Sequence, residues 1–332
     1  MSFQTRKVQK TGGSSYIISL PKAWIDKHSV KKNDTLGILS QPDGNLLITP
    51  QIEAEKIQKT KEIIADDFTD DNFLFRVLIG AYIMGFSTII IKSGRKFESY
   101  IRDCIRKFTQ IAISPEIEEE SNTYIKIKDL VNPREMPFEK TIRRIFILVQ
   151  NMHEEAIRAL KTGDKTLAEE TIKNDNDVDR LHYLVMRQVS IALSDIILCQ
   201  KMGVTLERAV NFQQISRFLE RIADHAVKIS KNVLNLSTHE IDEKLKDQIE
   251  IASKFSLELL NKSLTAWLQK DINLANESIE LIRDLISTTE KISFDLTNNT
   301  KTSIAIGYVI ESIRRTGEYS GDISEIIINN LI

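Results

Sequence analysis

The sequence predicts a multidomain α+β chain that is mostly α. Three observations carry this reading: where proline and glycine fall, where the hydrophobic period changes, and a repeat within the helical tract. All six prolines (21, 42, 50, 115, 133 and 137) precede residue 138, and only five of the twelve glycines follow it. Proline costs about 3 kcal/mol inside a helix, so a long proline-free tract invites long helices. At 332 residues the chain exceeds one ordinary domain.

Residues 1–50 alternate short apolar runs with turn signals: VQKTGG, SYIISLP and DTLGILSQPDGNLLITP. Pro42–Gly44 between two strand-like runs predicts a hairpin. PKAWIDKHSV supplies one short helix, with Pro21 suited to its first turn. Residues 53–135 mix types. FLFRVLIGAYIMGF and KFESYIRDCIRKF read as helices, STIIIK as a strand, and AISPEIEEE with TYIKIKDL as a strand pair.

Beyond residue 138 the apolar residues recur at helical spacing. Ile215, Leu219, Ile222, Ala226, Ile229 and Val233 make one stripe. Breaks at Thr162–Asp164, Met202–Gly203, Ser237–Thr238 and Asn298–Thr302 divide six expected helices: 138–162, 164–201, 205–236, 240–269, 271–298 and 302–330. Short connections favour antiparallel packing.

The tract repeats itself. GDKTLAEETIKNDNDVD from Gly163 aligns with KDINLANESIELIRDLI from Lys270, and RFLERIADHAVKIS from Arg217 aligns with RTGEYSGDISEIII from Arg315. Asp164/Asp271, Leu167/Leu274, Arg217/Arg315, Glu220/Glu318 and Asp224/Asp322 correspond. Two three-helix units follow. At about 100° per residue, Glu220 and Asp224 fall where the apolar stripe meets the polar face. Asp175 and Asp179 repeat the four-residue spacing one helix earlier. If those helices are neighbours, four carboxylates converge, and oxygen-only donor sets suit hard cations or iron and manganese. Acids bordering a stripe are also commonly solvated or paired with Lys and Arg, so an acidic edge is the alternative.

The net charge of -2 selects no partner, but its distribution is uneven. The first 50 residues hold seven Lys/Arg against Asp26, Asp34 and Asp43, giving +4 there and -6 elsewhere. A basic module on an acidic body points to a polyanion partner for the module. Cys104 and Cys199 have no metal or redox spacing and read as free thiols of a reducing compartment. No apolar leader or membrane-length run is present, so a cytoplasmic location without membrane insertion is expected. GxxxxGK[ST], GxGxxG and GxSxG are absent, and His153-Glu154 is followed at the fourth position by Ile157 rather than His. No nucleophile with its base is legible, so no enzyme is expected. His182 reads as a packed interface histidine, and Trp24 and Trp267 as packing residues.

The repeated bundle, with its DNDVD and ERIAD motifs, resembles the PhoU family of phosphate-uptake regulators. That resemblance implies metal at E/DxxxD motifs: Asp175, Asp179, Glu220 and Asp224 at a first site, Glu318 and Asp322 at a second. Ile282 and Ile286 stand where the second repeat would carry its helix-two acids, with Glu280 and Asp284 only nearby. Iron, manganese, magnesium or zinc would be the implied ion. RKVQKTGGSSYIISLPKAWIDKHSV and the hairpin after it are similar to AbrB/SpoVT/MazE-type domains, which implies a swapped-hairpin β-barrel formed by a homodimer and binding double-stranded DNA. Arg6, Lys7, Lys10, Ser14, Ser15 and Lys22 are the corresponding contact candidates. The middle region resembles the linker domain of archaeal PhoU-like proteins with an AbrB-type head.

The expected organisation is a DNA-binding and dimerisation domain over 1–50, an α+β linker domain over 53–135, and three-helix bundles over 138–236 and 240–332. The expected function is a DNA-binding transcriptional regulator of phosphate uptake whose helical body senses metal, phosphate status, or a transporter or sensor-kinase partner. The alternative is an adaptor that restrains a phosphate transporter without binding DNA.

Overall fold

The computed structural model describes residues 4–41, 44–50, 59–130, 136–236, 241–294, 296 and 301–332. The chain divides into two compact units, Met1–Ile57 and Gln58–Ile332.

The first unit holds two separate hairpins. Strands β1 (Gln9–Thr11) and β2 (Ser15–Ile17) pair antiparallel, with Gln9 opposite Ile17 and Thr11 opposite Ser15. Gly12, at φ +61°, supplies the left-handed residue the tight turn needs. Helix α1 (Lys22–Lys27) follows Pro21 as expected. Strands β3 (Gly37–Ser40) and β4 (Leu46–Thr49) form the second hairpin. Two residues of its predicted turn, Pro42 and Asp43, lie outside the described residues. The expected barrel is not closed among the described residues of one chain, which form two two-stranded sheets. None of the unit's described residues is buried, and Tyr16 is 69% and Ile38 65% exposed. Strands this few and this short have too little apolar surface to bury on their own.

The second unit opens with a four-stranded sheet. Its elements run β5 (Thr60–Ile64), α2 (Asp71–Ile83), β6 (Thr88–Lys92), α3 (Ser99–Ile111), β7 (Pro115–Glu120) and β8 (Tyr124–Asp129). The strand order is β5-β6-β8-β7, parallel between β5 and β6 and antiparallel elsewhere. Alternate residues Ile63, Ile89, Ile91, Ile125 and Ile127 meet Leu74, Leu78, Ile105 and Phe108 of the two helices in one core. Only β5 has no counterpart in the sequence reading. Its TKEII is an edge strand with one buried side chain, and so it lacks a period-2 apolar pattern.

Among the described residues seven further helices follow: α4 (Phe138–Thr162), α5 (Lys165–Ser194), α6 (Ile196–Lys201), α7 (Leu206–Asn235), α8 (Glu243–Gln269), α9 (Ile272–Phe294) and α10 (Lys301–Leu331). Their ends carry the expected capping chemistry. Asp164 accepts from Leu167 N at 3.0 Å, Thr205 from Arg208 N at 3.2 Å, and Gly163 closes α4 at φ +76°. The single helix expected over 164–201 is broken. Asp195 leaves the helical region at φ −142° and caps α6 by accepting from Ile197 N and Leu198 N, both at 3.0 Å. An Asp inside an apolar helical pattern stops it by offering the next turn a better N-cap.

Helices α4, α5 and α7 pack together, as do α8, α9 and α10, and α7 lies along α10 between the two sets. One continuous core runs through both. The α+β region is tied to this body by Arg187 of α5, 4% exposed, which donates to Asp129 Oδ2 and to the carbonyl of Tyr82, with its guanidinium 4.8 Å from the Tyr82 ring.

Candidate functional site

The α5–α7 interface sets the site. Val178, Leu181 and Val185 of α5 and Leu219, Ile222 and Ala226 of α7 are buried at the seam. One residue off that stripe, the four-residue spacing places Asp175 and Asp179 on one helix and Glu220 and Asp224 on the other. Ala223, fully buried, keeps the helices close at this level. The first three acids are half-buried and Asp224 is exposed.

Their electrostatics are those of an uncompensated cluster. Burial, then the charges of Asp175, Glu220 and Asp224, push the Asp179 carboxyl up to about 7. Burial and Asp224 raise Asp175 to about 6, against a weak opposing pull from Lys231. Burial, Asp224 and Asp175 raise Glu220 to about 7, against Arg221 and Arg217. Among the described residues none of the four forms an ion pair. The two helix borders thus bring partly desolvated carboxylates together, with Lys231, Arg217 and Arg221 acting only from a distance, an arrangement that costs stability unless a proton or a metal offsets it.

Tyr183, missed in the sequence reading, belongs to this group. It stands one turn beyond Asp179, and burial with the field of all four acids pushes its phenol up to about 12. Its ring also packs against the core of the α+β region. The signal available was the third member of an i, i+4, i+8 row, Asp175–Asp179–Tyr183. His182 is buried and shares a 3.0 Å hydrogen bond with Ser216 Oγ of α7, as a packed interface histidine does.

The donor chemistry fits a hard cation: four carboxylates, oxygen only, at a solvent border. As the side chains stand, no group of three or more His, Cys, Asp or Glu among the described residues has a geometry that can hold a metal ion. Ligation would therefore draw the carboxylates together by rotamer changes.

The second acid pair has different surroundings. Glu318 accepts from Arg314 at 2.8 Å and from Arg315 at 3.0 Å. Asp322, whose carboxyl is raised by burial, Glu325 and Glu318, faces Arg221 of α7. At the α9 positions aligned with Asp175 and Asp179 stand Ile282 and Ile286. A Cβ at Gly321 would lie 2.2 Å from Ile282 Cδ1, and one at Gly317 2.1 Å from Leu285 Cδ2.

In the first unit Arg6, Lys7, Lys10, Ser14, Ser15 and Lys22 are all exposed. Ser14 sits in the β1–β2 turn and Ser15 begins β2. None of the four basic residues forms an ion pair among the described residues, and Arg6 donates only to Thr5 O and Gln4 Oε1.

Comparison with known proteins gives these features their context. Residues 142–233 match the PhoU domain. Residues 9–56 match the antidote-toxin recognition domain of MazE, a bacterial antitoxin. The chain carries a PhoU domain behind a MazE/AbrB-type N-terminal domain. The matched PhoU domain spans most of α4 through α7 and includes Asp175, Asp179, Glu220 and Asp224. A protein of Thermotoga maritima named phosphate-specific transport system accessory protein PhoU homolog 1 is 23% identical over 206 residues, 59% of this chain and 86% of the relative. An Aquifex aeolicus PhoU homolog of the same description is 30% identical over 135 residues, 40% of this chain and 58% of the relative. Crystal structures of PhoU from Pseudomonas aeruginosa (TM-score 0.53, 17% identity, 57% of this chain and 93% of that one) and from Streptococcus pneumoniae (0.50, 21%, 57% and 91%) share the fold of the helical body. Among the described residues no helix is long and apolar enough to cross a membrane.

Proposed function

We propose that the chain is a DNA-binding regulator of phosphate uptake whose PhoU-like body carries a metal site. The observation that carries this is the joining of a MazE-type domain, with exposed and unpaired basic residues, to a PhoU domain whose relatives are named as accessory proteins of phosphate transport. A second copy of the chain supplies the strands that would close the N-terminal barrel, since Tyr16, Ile17, Ile18, Ile38 and Leu46 stand exposed in one copy. Arg6, Lys7, Lys10 and Lys22 contact phosphates of duplex DNA, and Ser14 and Ser15 approach through the turn. In the body, Asp175, Asp179, Glu220 and Asp224 hold a divalent or iron-type ion that neutralises their mutual repulsion. The Glu318/Asp322 pair is the weaker site of the two, because arginines already engage Glu318.

Binding of the full-length protein to duplexes from its own promoter and from phosphate-transporter promoters, across a salt series, tests the DNA reading. Displaced counterions require a steep loss of affinity with salt, and specificity requires tighter binding than to a scrambled duplex. Weak binding that is equal for all duplexes contradicts it.

A second reading is supported by the relatives' names, which describe accessory proteins of a transport system. There the N-terminal unit only dimerises the chain, and the helical body restrains a transporter or sensor kinase through protein contacts. Capture of transporter components without DNA retention favours that reading.

A further inference from the structure

Away from the acids, α4 and α7 begin and α8 and α10 end around an open cavity of about 530 Å³, the volume of a small-molecule site. Its aromatic base is Trp267, which in turn stands edge-on to Phe212 at 6.0 Å, with Phe212 stacked on Phe138 at 5.2 Å. Leu268, Ile327 and Leu331 add apolar wall. Three cations line it, Arg143, Arg208 and Lys270, against one acid, Glu139, which Arg208 already pairs at 3.0 Å. Arg143 and Lys270 form no ion pair among the described residues, and the Arg143 guanidinium lies 5.9 Å from the Trp267 ring centre.

Lys270 is placed there at a conformational cost. It ends α8 in the left-handed region, at φ +55° and ψ +46°. The repeat-equivalent residue ending α4 is Gly163, at φ +76° and ψ +17°. Glycine takes this conformation with no Cβ penalty, whereas a lysine does not. A cation is favourable near a helix C-terminus, but any last-turn position would provide that without the strain. The second repeat thus departs from the first at the residue that adds a charge to the cavity.

We propose that this cavity binds a small organic anion of the phosphate-monoester class. The anionic group lies between Arg143 and Lys270, and the body rests on Trp267 and Leu331. Cations fix the anion and the aromatic base favours a planar body.

The chain has two tryptophans, so a Trp24→Phe background makes Trp267 the only indole reporter. In that full-length protein, titration with AMP at constant ionic strength should quench the fluorescence saturably, and inorganic phosphate should displace AMP only at much higher concentration. Lys270→Gly removes the charge while suiting the backbone, so it should keep the melting temperature and weaken AMP by roughly tenfold or more; Arg143→Gln should do the same. Absence of saturable quenching, or AMP affinity unchanged in both variants, overturns the proposal. Inorganic phosphate binding as tightly as AMP overturns the ester assignment, since the body would then contribute nothing.

Discussion

The two helical repeats carry the same acid spacing in opposite settings. In the first, Glu220 and Asp224 of α7 meet Asp175 and Asp179 of α5 across a seam closed by Ala223, and no arginine pairs with any of them. In the second, Glu318 is clasped by Arg314 and Arg315, and glycines at 317 and 321 let Leu285 and Ile282 of α9 press against α10. Ile282 occupies the position of Asp175. One repeat keeps an uncompensated carboxylate cluster, and the other has exchanged it for close apolar packing and a local ion-pair set. A motif of two acids four apart does not define a site; what the facing helix presents to it does.

The largest effect is expected where α5 is anchored. Arg187 holds the acid-bearing helix to the α+β region, and the residue at the same offset in the second repeat is Phe294, 87% exposed. Arg187→Met takes the buried guanidinium away from Asp129 and the Tyr82 carbonyl, so chemical denaturation should show a loss of about 3–5 kcal/mol. A loss below about 1 kcal/mol, the scale of a surface pair, would remove the claimed difference in anchoring.

Next comes the packing side of the comparison. Gly317→Ala drives a methyl into the fully buried Leu285 and toward Leu259, whereas in Gly321→Ala the methyl meets the tip of half-buried Ile282, which can turn aside, so the larger cost is expected at Gly317. Overpacking of this kind costs about 1–3 kcal/mol, less the roughly 1 kcal/mol that alanine gains in helix propensity. Stabilised variants would show that α9 and α10 are not held at glycine-limited distance.

The helices that hold these groups were legible in the sequence because proline-free tracts with an unbroken 3.6-residue period leave few alternatives. Val178 through Val233 behaves as that stripe predicts, and the border position of Glu220 and Asp224 follows from it. The Asp195 break was not legible, since an Asp reads equally as a solvated helical residue until the backbone turns away from it. Strand β5 was not legible because an edge strand with one buried side chain shows no alternation. Tyr183 escaped because a tyrosine beside an apolar stripe reads as packing, and only the fold of α5 against α7 puts its phenol in the field of four carboxylates. The state of Glu318 was out of reach for a related reason: arginines three and four residues earlier pair with it only once the rotamers are fixed.

A pH test separates the repeats with a smaller effect. Asp175, Asp179 and Glu220 have folded-state values of about 6, 7 and 7, above the ordinary carboxylate range. An acid raised on folding binds more protons folded than unfolded, so its contribution is present below the unfolded value and is lost as pH rises through the folded one. With a chelator present, the melting temperature should therefore fall between about pH 4 and 7. Asp179→Asn should flatten that fall and raise stability at pH 7.5. A profile identical to that of the unsubstituted protein would contradict the mutual repulsion. Glu318→Gln, by contrast, should change stability by no more than about 1 kcal/mol, as partly exposed ion pairs do.

Metal stoichiometry of the full-length protein tests the account most directly. Elemental analysis after exposure to iron, manganese, magnesium or zinc should find bound metal in the unsubstituted chain and in a Glu318→Ala/Asp322→Ala variant. A Glu220→Ala/Asp224→Ala variant that keeps the helical circular dichroism signal should lose it. Unchanged stoichiometry in the latter, or loss confined to the former, would contradict the claim that the facing helix, and not the spacing, makes the site.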